Sequence, residues 1–334
     1  MALDKTLTGT ITAGGSSAQG NAQAAWIAAV KAQAAGLTVN YDKSQGSGGG
    51  VTNWLAGSYD FAGSDSPLSP VQQTAAAAPC GPGGALNLPV YLDGVAVVFN
   101  LAGVTKLNLS SGTLAKIFTL QVKTWNDPMI LADNPGSSLP AVAITTVSRS
   151  DGSGTTANFT NYLSAVQPLL WTSPASNKWP IAGSSAQQGG SGVVNTVKAG
   201  NGTIGYADHS AIGTLTAASI QVGMTMNYVA FTPKGATNAF TAAAVPAVST
   251  VKGDLAQKLD YTKITDKSAY AIPLVSYAIV CSTFKSPAQA KLVKSYLGYV
   301  ASDIGQKITA TNAGSAPLPG NMLASIQKSL ALVK

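Results

Sequence analysis

Apolar and polar residues alternate along the chain with two periods, one typical of strands and one typical of helices. Within the first 70 residues, a short strand followed by a glycine-rich or polar turn recurs three times, at "LTGTITAGG", "LTVNYDKS" and "YDFAGSDSPLS". After the first of these, "NAQAAWIAAVKAQAAG" repeats apolar residues at helical spacing and stops at a glycine. This alternation predicts an α/β fold with a largely parallel sheet, whose loops and helix N-termini lie along one edge.

A second α/β unit is predicted from about residue 96 onward. The long apolar strand "LPVYLDGVAVVFN" precedes a serine-capped helix in "LSSGTLAKIFT", and "AVAITTVSRSDGSGTTANFTNYLSAV" is again strand, loop and helix. Another long apolar strand, "YAIPLVSYAIVC", occupies 270–281. The 334 residues also exceed what one core usually serves. We therefore predict two lobes joined by two crossover strands, with 1–95 and 276–334 in the first lobe and 96–275 in the second.

Composition narrows the possible chemistry. All thirteen acidic residues are aspartate, and the chain has one histidine, His209. This supply of ligands argues against a zinc or dimetal hydrolase, so we expect no metal and interpret His209 as structural or exposed. The net charge is +7, but the lysines are spread singly along the chain, which argues against nucleic-acid binding.

Composition alone is compatible with either an exported or a cytosolic protein, and with its two cysteines either bonded or free. No stretch of about eighteen apolar residues occurs, so no transmembrane helix is predicted. The N-terminus lacks a charged region followed by an apolar one, so the protein is either cytosolic or a mature form whose export segment has been removed. Cys80 and Cys281 are either two buried thiols or one disulfide that closes a very long loop.

Four loops share one design, a strand end followed by glycine with serine, threonine or aspartate and then a helix start. They are "GGSSAQ" at 14–19, "GSGGG" at 46–50, "GSDSPLS" at 63–69 and "RSDGSGTT" at 149–156. Helix N-termini and hydroxyls offer donors to an anion, and glycine allows close approach. The alternative is that these residues only cap helices and form turns. The last loop holds the only arginine, Arg149, which offers a planar fork that Asp151 could hold in place.

Three motifs of nucleotide-binding proteins and hydrolases are incomplete or absent in this sequence. "GSGTTA" at 152–157 matches G-x-G-x-x-A, but no acidic residue follows Asp151 before Asp208, so the ribose partner of a dinucleotide site is missing. The chain has neither a G-x-x-x-x-G-K-[ST] phosphate loop nor a G-x-S-x-G nucleophile elbow. The loops therefore predict a pocket for a compact oxyanion.

In this order, the segments resemble one known family. "AGGSSA", "SGGGV", "DFAGSDSPLS", "VSRSDGSGTTANFTNYL" and "GTIGYA" closely resemble the periplasmic phosphate-binding protein of bacterial ABC phosphate importers, over most of the chain. The resemblance implies a type II periplasmic-binding-protein fold with a ligand cleft between two α/β lobes. It also implies a high-affinity phosphate receptor that closes by a hinge and delivers phosphate to an ABC permease. Such a receptor is not an enzyme, needs no cofactor and is expected to be a monomer.

The resemblance also assigns roles to residues. The phosphate ligands that it implies come from both lobes, and they are Ser17, Ala18 (through its amide), Ser47, Asp65, Arg149, Ser153, Gly154 (through its amide) and Thr155. Asp151 would pair with Arg149, and Ser64 would support Asp65. The family commonly has phenylalanine where this chain has Ala18, so a bulky wall beside the anion is missing.

The same resemblance implies the anion selectivity and the cellular location of the protein. A buried Asp65 would accept the proton of hydrogen phosphate and repel sulfate, which has none at neutral pH. A receptor for sulfate or molybdate and a secreted phosphoryl-transfer enzyme remain the alternatives. We expect a periplasmic or cell-surface protein whose precursor carries an export signal and can be a lipoprotein. In that compartment Cys80 and Cys281 are hypothesised to form a disulfide.

Overall fold

A computed structural model describes residues 3–223 and 225–334, so residues 1, 2 and 224 lie outside the described residues. The strands form where the sequence alternates or is continuously apolar. In chain order they are β1 (Gly9–Gly15), β2 (Leu37–Asp42), β3 (Phe61–Ser64), β4 (Ala85–Asn100), β5 (Asn108–Leu109), β6 (Thr145–Arg149), β7 (Ser185–Gln187), β8 (Thr203–Asp208), β9 (Thr216–Ala217), β10 (Ser219–Gln221), β11 (Tyr228–Val229), β12 (Ala244–Pro246), β13 (Gln257–Leu259) and β14 (Pro273–Cys281).

Most helices begin directly after a loop of small or polar residues. They are α1 (Gly20–Gln33), α2 (Gly46–Leu55), α3 (Pro70–Ala75), α4 (Ala77–Cys80), α5 (Ser111–Phe118), α6 (Pro128–Asp133), α7 (Gly154–Val166), α8 (Gly189–Ala199), α9 (Pro233–Ala243), α10 (Pro287–Val300), α11 (Asp303–Ala313) and α12 (Gly320–Leu332). Serine hydroxyls cap several of them, because a serine before the first turn accepts from an amide with no intrahelical acceptor. Within 3–223 and 225–334, no helix has the length and apolar character that a membrane crossing requires.

The chain divides into two compact units. The first comprises the described residues up to Leu92, together with Ala244–Lys258 and Val275–Lys334, and the second comprises Asp93–Ala243 and Leu259–Leu274. The chain passes between the units after residues 92, 243, 258 and 274, and two of these four passages lie in the long strands β4 and β14.

This division differs from the predicted one at 93–95, which belong to the second unit, at residue 275, which belongs to the first, and in the segment 244–258, which the sequence pattern places in the second lobe. The segment is tied to the first unit because Asp254 accepts from the amide and side chain of Asn87, and the Gln257 amide donates to the Tyr277 hydroxyl at 3.2 Å. These hydrogen bonds join residues that are remote in sequence, so no local pattern announces them.

The first unit is built on strands in the order β2-β1-β3-β14, followed by the first part of β4. β1 is parallel to β2 and β3, as the repeated strand and helix pattern predicts, whereas β14 runs antiparallel to β3. The disulfide between Cys80 and Cys281 joins the end of α4 to the end of β14. The hypothesised pairing is therefore present in the structure.

The second unit is built on strands in the order β4-β8-β6-β7, with β9 on the other side of β4. β6 is parallel to β8 and β7, and β4 is antiparallel to β8. Its sheet packs against α8 through a fully apolar cluster that includes Val98, Val147 and Val197. This packing holds β6, which ends at Arg149, against α8.

Candidate functional site

Asp65 lies at the centre of a buried hydrogen-bond network in the first unit. It directly follows β3, and 3 % of its surface is exposed. The hydroxyls of Ser16 and Ser276 both donate to its Oδ1 atom, each at 2.5 Å, and the Ser47 hydroxyl donates to Oδ2 at 3.3 Å. The Asp65 amide donates to Ser47 Oγ at 3.1 Å. Hydroxyl donors on a buried carboxylate stabilise its charged form.

Two glycines bring Ser47 to this position. Ser47 is the second residue of α2, and a Cβ atom on Gly50 would lie 2.3 Å from the Cα atom of Gly15 in β1. Gly15 has a φ of 132°, and a Cβ atom there would lie 2.2 Å from the carbonyl oxygen of Gly63. Only glycine permits these backbone approaches. The start of α2 therefore packs directly on β1, which pairs with β3, the strand that ends next to Asp65.

The loop between β1 and α1 contains a buried hydroxyl without a protein partner. Ser17 Oγ is buried, and it neither accepts nor donates a hydrogen bond in the described structure. The Ala18 amide donates to Ser16 Oγ at 3.1 Å, and the Gln19 amide does so at 3.4 Å. Ser16 therefore holds this loop together and reaches Asp65 as well. The sequence analysis missed this role, although Ser16 lies within "GGSSAQ".

Ser64 acts on the backbone beside Asp65. Its hydroxyl donates to the Ser66 carbonyl oxygen at 2.6 Å and accepts from the Ser66 amide at 3.3 Å. This local turn fixes the direction in which the chain leaves Asp65. Ser64 therefore acts on Asp65 only through the backbone turn that it stabilises.

In the second unit, Arg149 and Asp151 form a two-point ion pair. Arg149 Nε donates to Asp151 Oδ1 at 2.7 Å, and Arg149 Nη2 donates to Asp151 Oδ2. The amide of Gly189 donates to Oδ1 at 3.0 Å. Burial would raise the pKa of Asp151, but the hydrogen bonds and charge of Arg149, with the Gly189 amide, hold that pKa below its ordinary value. Asp151 therefore fixes the plane of the guanidinium.

The start of α7 presents donors next to this ion pair. Ser153 caps the helix, because its hydroxyl accepts from the Thr156 amide at 3.1 Å. The amides of Gly154 and Thr155 are the first two of the helix and have no intrahelical acceptor. Thr155 Oγ1 is buried and has no hydrogen-bond partner in the structure. These groups suit an anion at a helix N-terminus.

Aromatic packing supports the same region. The Tyr206 hydroxyl accepts from the Arg149 amide at 3.2 Å and shares a hydrogen bond of 2.7 Å with Thr156 Oγ1. The Tyr206 ring stacks on Phe159 with the ring centroids 4.8 Å apart, and Trp179 lies 5.3 Å away. Burial raises the pKa of Tyr206 to about 12, so it stays a neutral donor and acceptor near neutral pH.

Ser276 is a site residue that the sequence analysis missed, because it lies in the middle of "YAIPLVSYAIVC", a segment that reads only as an apolar strand. The structure buries it completely in β14, with its hydroxyl on Asp65. A signal was present: a single hydroxyl in a buried apolar strand needs a hydrogen-bond partner. The sequence does not say which partner it finds.

Among the described residues, no group of three or more histidine, cysteine or aspartate side chains is placed to hold a metal ion. His209 is half-buried, and its ring stacks on Phe231 with the centroids 3.9 Å apart. Burial lowers the pKa of His209. The imidazole therefore packs as part of the second unit.

Comparisons with known proteins identify the family. A family model described as a PBP superfamily domain matches residues 2–303. Phosphate-binding protein PstS 3 of Mycobacterium leprae is 33% identical over 290 residues, which cover 86% of this chain and 78% of the relative. The chain belongs to the PstS family. The family inferred from the loop motifs is thereby confirmed.

Two solved structures support the fold of this PstS chain. The high affinity periplasmic phosphate-binding protein PfluDING, solved with bound phosphate, matches with a TM-score of 0.76 and 24% identity, over 96% of this chain and 93% of that one. A Clostridium perfringens protein assigned as a phosphate ABC transporter substrate-binding protein, also solved with phosphate, matches with a TM-score of 0.67 and 17% identity, over 93% and 100%. The type II periplasmic-binding-protein fold predicted from the sequence is confirmed.

Proposed function

We propose that this protein binds inorganic phosphate outside the cytoplasm and delivers it to an ABC-type phosphate importer, without catalysing a reaction. The proposal is supported by the PstS relatives, which are named phosphate-binding proteins, and by the fold that the chain shares with phosphate-bound receptors. The chemistry of the loops gives it an independent basis.

The observation that carries the proposal is the pairing of a buried acceptor with buried donors that lack a protein partner. Asp65 offers a carboxylate oxygen, and Ser17 on the neighbouring loop offers a hydroxyl that has no hydrogen-bond partner among the described residues. A buried polar group without a partner is costly, so it is expected to meet a ligand. A ligand that both accepts hydrogen bonds and carries one proton, such as hydrogen phosphate, can accept from Ser17 and donate to Asp65.

The second unit has the matching donors for an oxyanion. Arg149 is charged and oriented, Ser153 and Thr155 carry hydroxyls, and the Gly154 amide lies at a helix start. We infer that these groups bind the same phosphate ion as Ser17, Ser47, Asp65 and the Ala18 amide. Closure of the lobes on the ion stays a prediction, which small-angle X-ray scattering with and without phosphate tests.

Calorimetric titration with phosphate, sulfate and molybdate at equal ionic strength tests the proposal. A site with a buried acceptor rejects an analogue that lacks the hydrogen by a factor on the order of 10⁴. We therefore expect tight binding of phosphate and binding of sulfate that is weaker by about this factor. Equal affinities would make the protein a general oxyanion receptor, and binding of molybdate alone would also contradict the proposal.

The remaining parts of the proposal have direct tests. Incubation with a generic phosphomonoester is expected to release no phosphate above a buffer control, and catalytic release would make the protein an enzyme. Light scattering after gel filtration is expected to give the mass of one 33.6 kDa chain. A dimer mass would contradict the monomer that we propose.

A further inference from the structure

A line of four buried side chains lies behind Asp65 in the first unit. The Tyr296 hydroxyl donates to Gln23 Oε1 at 2.6 Å, and Gln23 Nε2 donates to Gln19 Oε1 at 2.8 Å. Gln19 Nε2 donates to Ser276 Oγ at 2.7 Å, and the Ser276 hydroxyl donates to Asp65 Oδ1 at 2.5 Å. None of the four is more than 1 % exposed. They come from the start of α1, from α10 and from β14, so the line ties three elements to one carboxylate.

The direction of every hydrogen bond in this line is fixed by one backbone carbonyl. Gln19 Nε2 also donates to the carbonyl oxygen of Tyr277 at 2.9 Å. A carbonyl oxygen only accepts, so the NH2 end of Gln19 must face Tyr277 and Ser276. Ser276 Oγ then accepts from Gln19, and its own hydrogen must go to Asp65.

Ser16 delivers a second hydrogen to the same oxygen. Its Oγ atom accepts from the Ala18 amide, so its hydrogen points to Asp65 Oδ1. Two hydroxyl hydrogens on Oδ1 leave that oxygen without room for a proton of its own. Oδ2 accepts a longer bond from Ser47, at 3.3 Å. Because Oδ1 already accepts two short hydrogen bonds, the proton of a ligand is assigned to Oδ2.

We propose that Ser276 is a positioning and specificity-determining residue, which Gln19 orients and which keeps Asp65 an acceptor whose Oδ2 atom takes the proton of the bound oxyanion. This inference rests on the proposed function, because it concerns how the same site distinguishes phosphate from sulfate. Ser276 touches Asp65 and acts on the ligand through it. Gln23 and Tyr296 hold Gln19 in the required orientation.

Tyr41, whose hydroxyl donates to the Ser16 carbonyl oxygen, and Tyr296 do not titrate near neutral pH. Burial raises the pKa of Tyr41 well above its ordinary value, and the charge of Asp65 raises it further. Burial also raises the pKa of Tyr296 at the far end of the line. A change of sulfate binding between about pH 5 and 8 that depends on Ser276 therefore reports on Asp65, since sulfate itself keeps the same charge there.

The experiment measures phosphate and sulfate affinities of the wild-type protein, Ser276→Ala and a control, Ser282→Ala, at several pH values. Ser282 follows the same strand, and its buried Oγ atom has no hydrogen-bond partner in the structure. Loss of the Ser276 donor makes protonated Asp65 easier to form, and a protonated carboxyl can donate to sulfate. We expect the ratio of phosphate to sulfate affinity to fall about tenfold or more in Ser276→Ala. We also expect sulfate binding to strengthen from a higher pH downward than in the wild type.

The control and a conservative variant separate this role from a structural one. Ser282→Ala is expected to keep the wild-type ratio, and Ser276→Thr, which keeps the hydroxyl, is expected to recover it. If Ser276→Ala does not fold, Ser276→Cys carries the test with the same expected direction, because a thiol is a weak donor. An unchanged ratio and an unchanged pH dependence for sulfate in Ser276→Ala or Ser276→Cys would overturn the inference.

The same data keep the two proposals apart. If the wild-type protein does not bind phosphate, the proposed function fails before any variant is compared. If the wild type binds phosphate selectively and the Ser276 variants keep that selectivity, the proposed function stands and only the role of Ser276 is refuted.

Discussion

Replacing Arg149 with lysine is expected to weaken phosphate binding strongly while the positive charge is kept. A guanidinium has five N–H donors in one plane, and two of them are held by Asp151. Three donors therefore remain for the ligand in a fixed orientation. An ammonium has three donors on one atom and cannot serve Asp151 and a phosphate in the same planar arrangement.

The magnitude follows from the hydrogen bonds that the phosphate ion no longer receives. Arg149→Lys removes at least one charge-assisted hydrogen bond from the ligand, and such bonds contribute about 1.5–3 kcal/mol each. The dissociation constant for phosphate is therefore expected to rise about 10- to 150-fold. Asp151→Asn, which weakens the hold on the guanidinium and keeps Arg149 itself, is expected to lose less affinity.

Isothermal titration of phosphate into each variant measures the effect. Lys198→Arg, at an exposed position on α8, exchanges the same two residue types away from the loops and is expected to bind phosphate as the wild type does. Thermal unfolding without phosphate checks that each variant is folded. An affinity of Arg149→Lys within about twofold of the wild type would refute the role of the planar fork.

Two further predictions concern packing and pH. Gly50→Ala places a Cβ atom 2.3 Å from a backbone atom of β1, so we expect the free energy of unfolding to fall by about 1–3 kcal/mol and the phosphate affinity to fall with it. The control Gly49→Ala, whose nearest new neighbour is a side-chain atom at 3.1 Å, is expected to be neutral or stabilising. Equal urea-unfolding curves for the two variants would contradict this packing. Because burial lowers the pKa of His209, the folded protein binds a proton there less readily than the unfolded chain, so the free energy of unfolding is expected to fall as the pH drops below 6.5. Denaturant titrations at about pH 7.5 and 5.5 measure this fall, which is expected to be smaller in His209→Phe. An equal fall in the variant and the wild type would show that another group is responsible.

Local sequence patterns predict the α/β fold and the loops of the candidate site, and the family resemblance adds the type II fold. The strand and helix alternation predicts β1, β2, β3 and the parallel pairing among them, because each feature repeats over a few residues. The glycine-rich loops predict an oxyanion pocket for the same reason, whereas the expected roles of Ser17, Ser47 and Asp65 in it come from the family resemblance. Where the chain must bring distant segments together, the pattern carries no information.

The residues that the sequence did not reveal show this limit. Ser276 meets Asp65 across 211 positions of sequence, and the line through Gln19 joins the start of α1 to β14 across 257. The segment 244–258 groups with the first unit, against the prediction, because its ties there are single hydrogen bonds to remote residues, such as those of Asp254 to Asn87. Hydrophobic periodicity describes which face of an element is buried, and it does not describe what that face meets.

The disulfide gives the molecule an unusual covalent topology. Cys80 and Cys281 both lie in the first unit, 201 positions apart, and every residue of the second unit falls between them. A protease that cuts once anywhere in that interval opens the polypeptide but releases nothing, since both fragments stay linked through sulfur. A nicked molecule therefore stays one covalent molecule, heavier by one water, until a reductant is added. The second unit therefore lies within a covalent ring that the disulfide of the first unit closes.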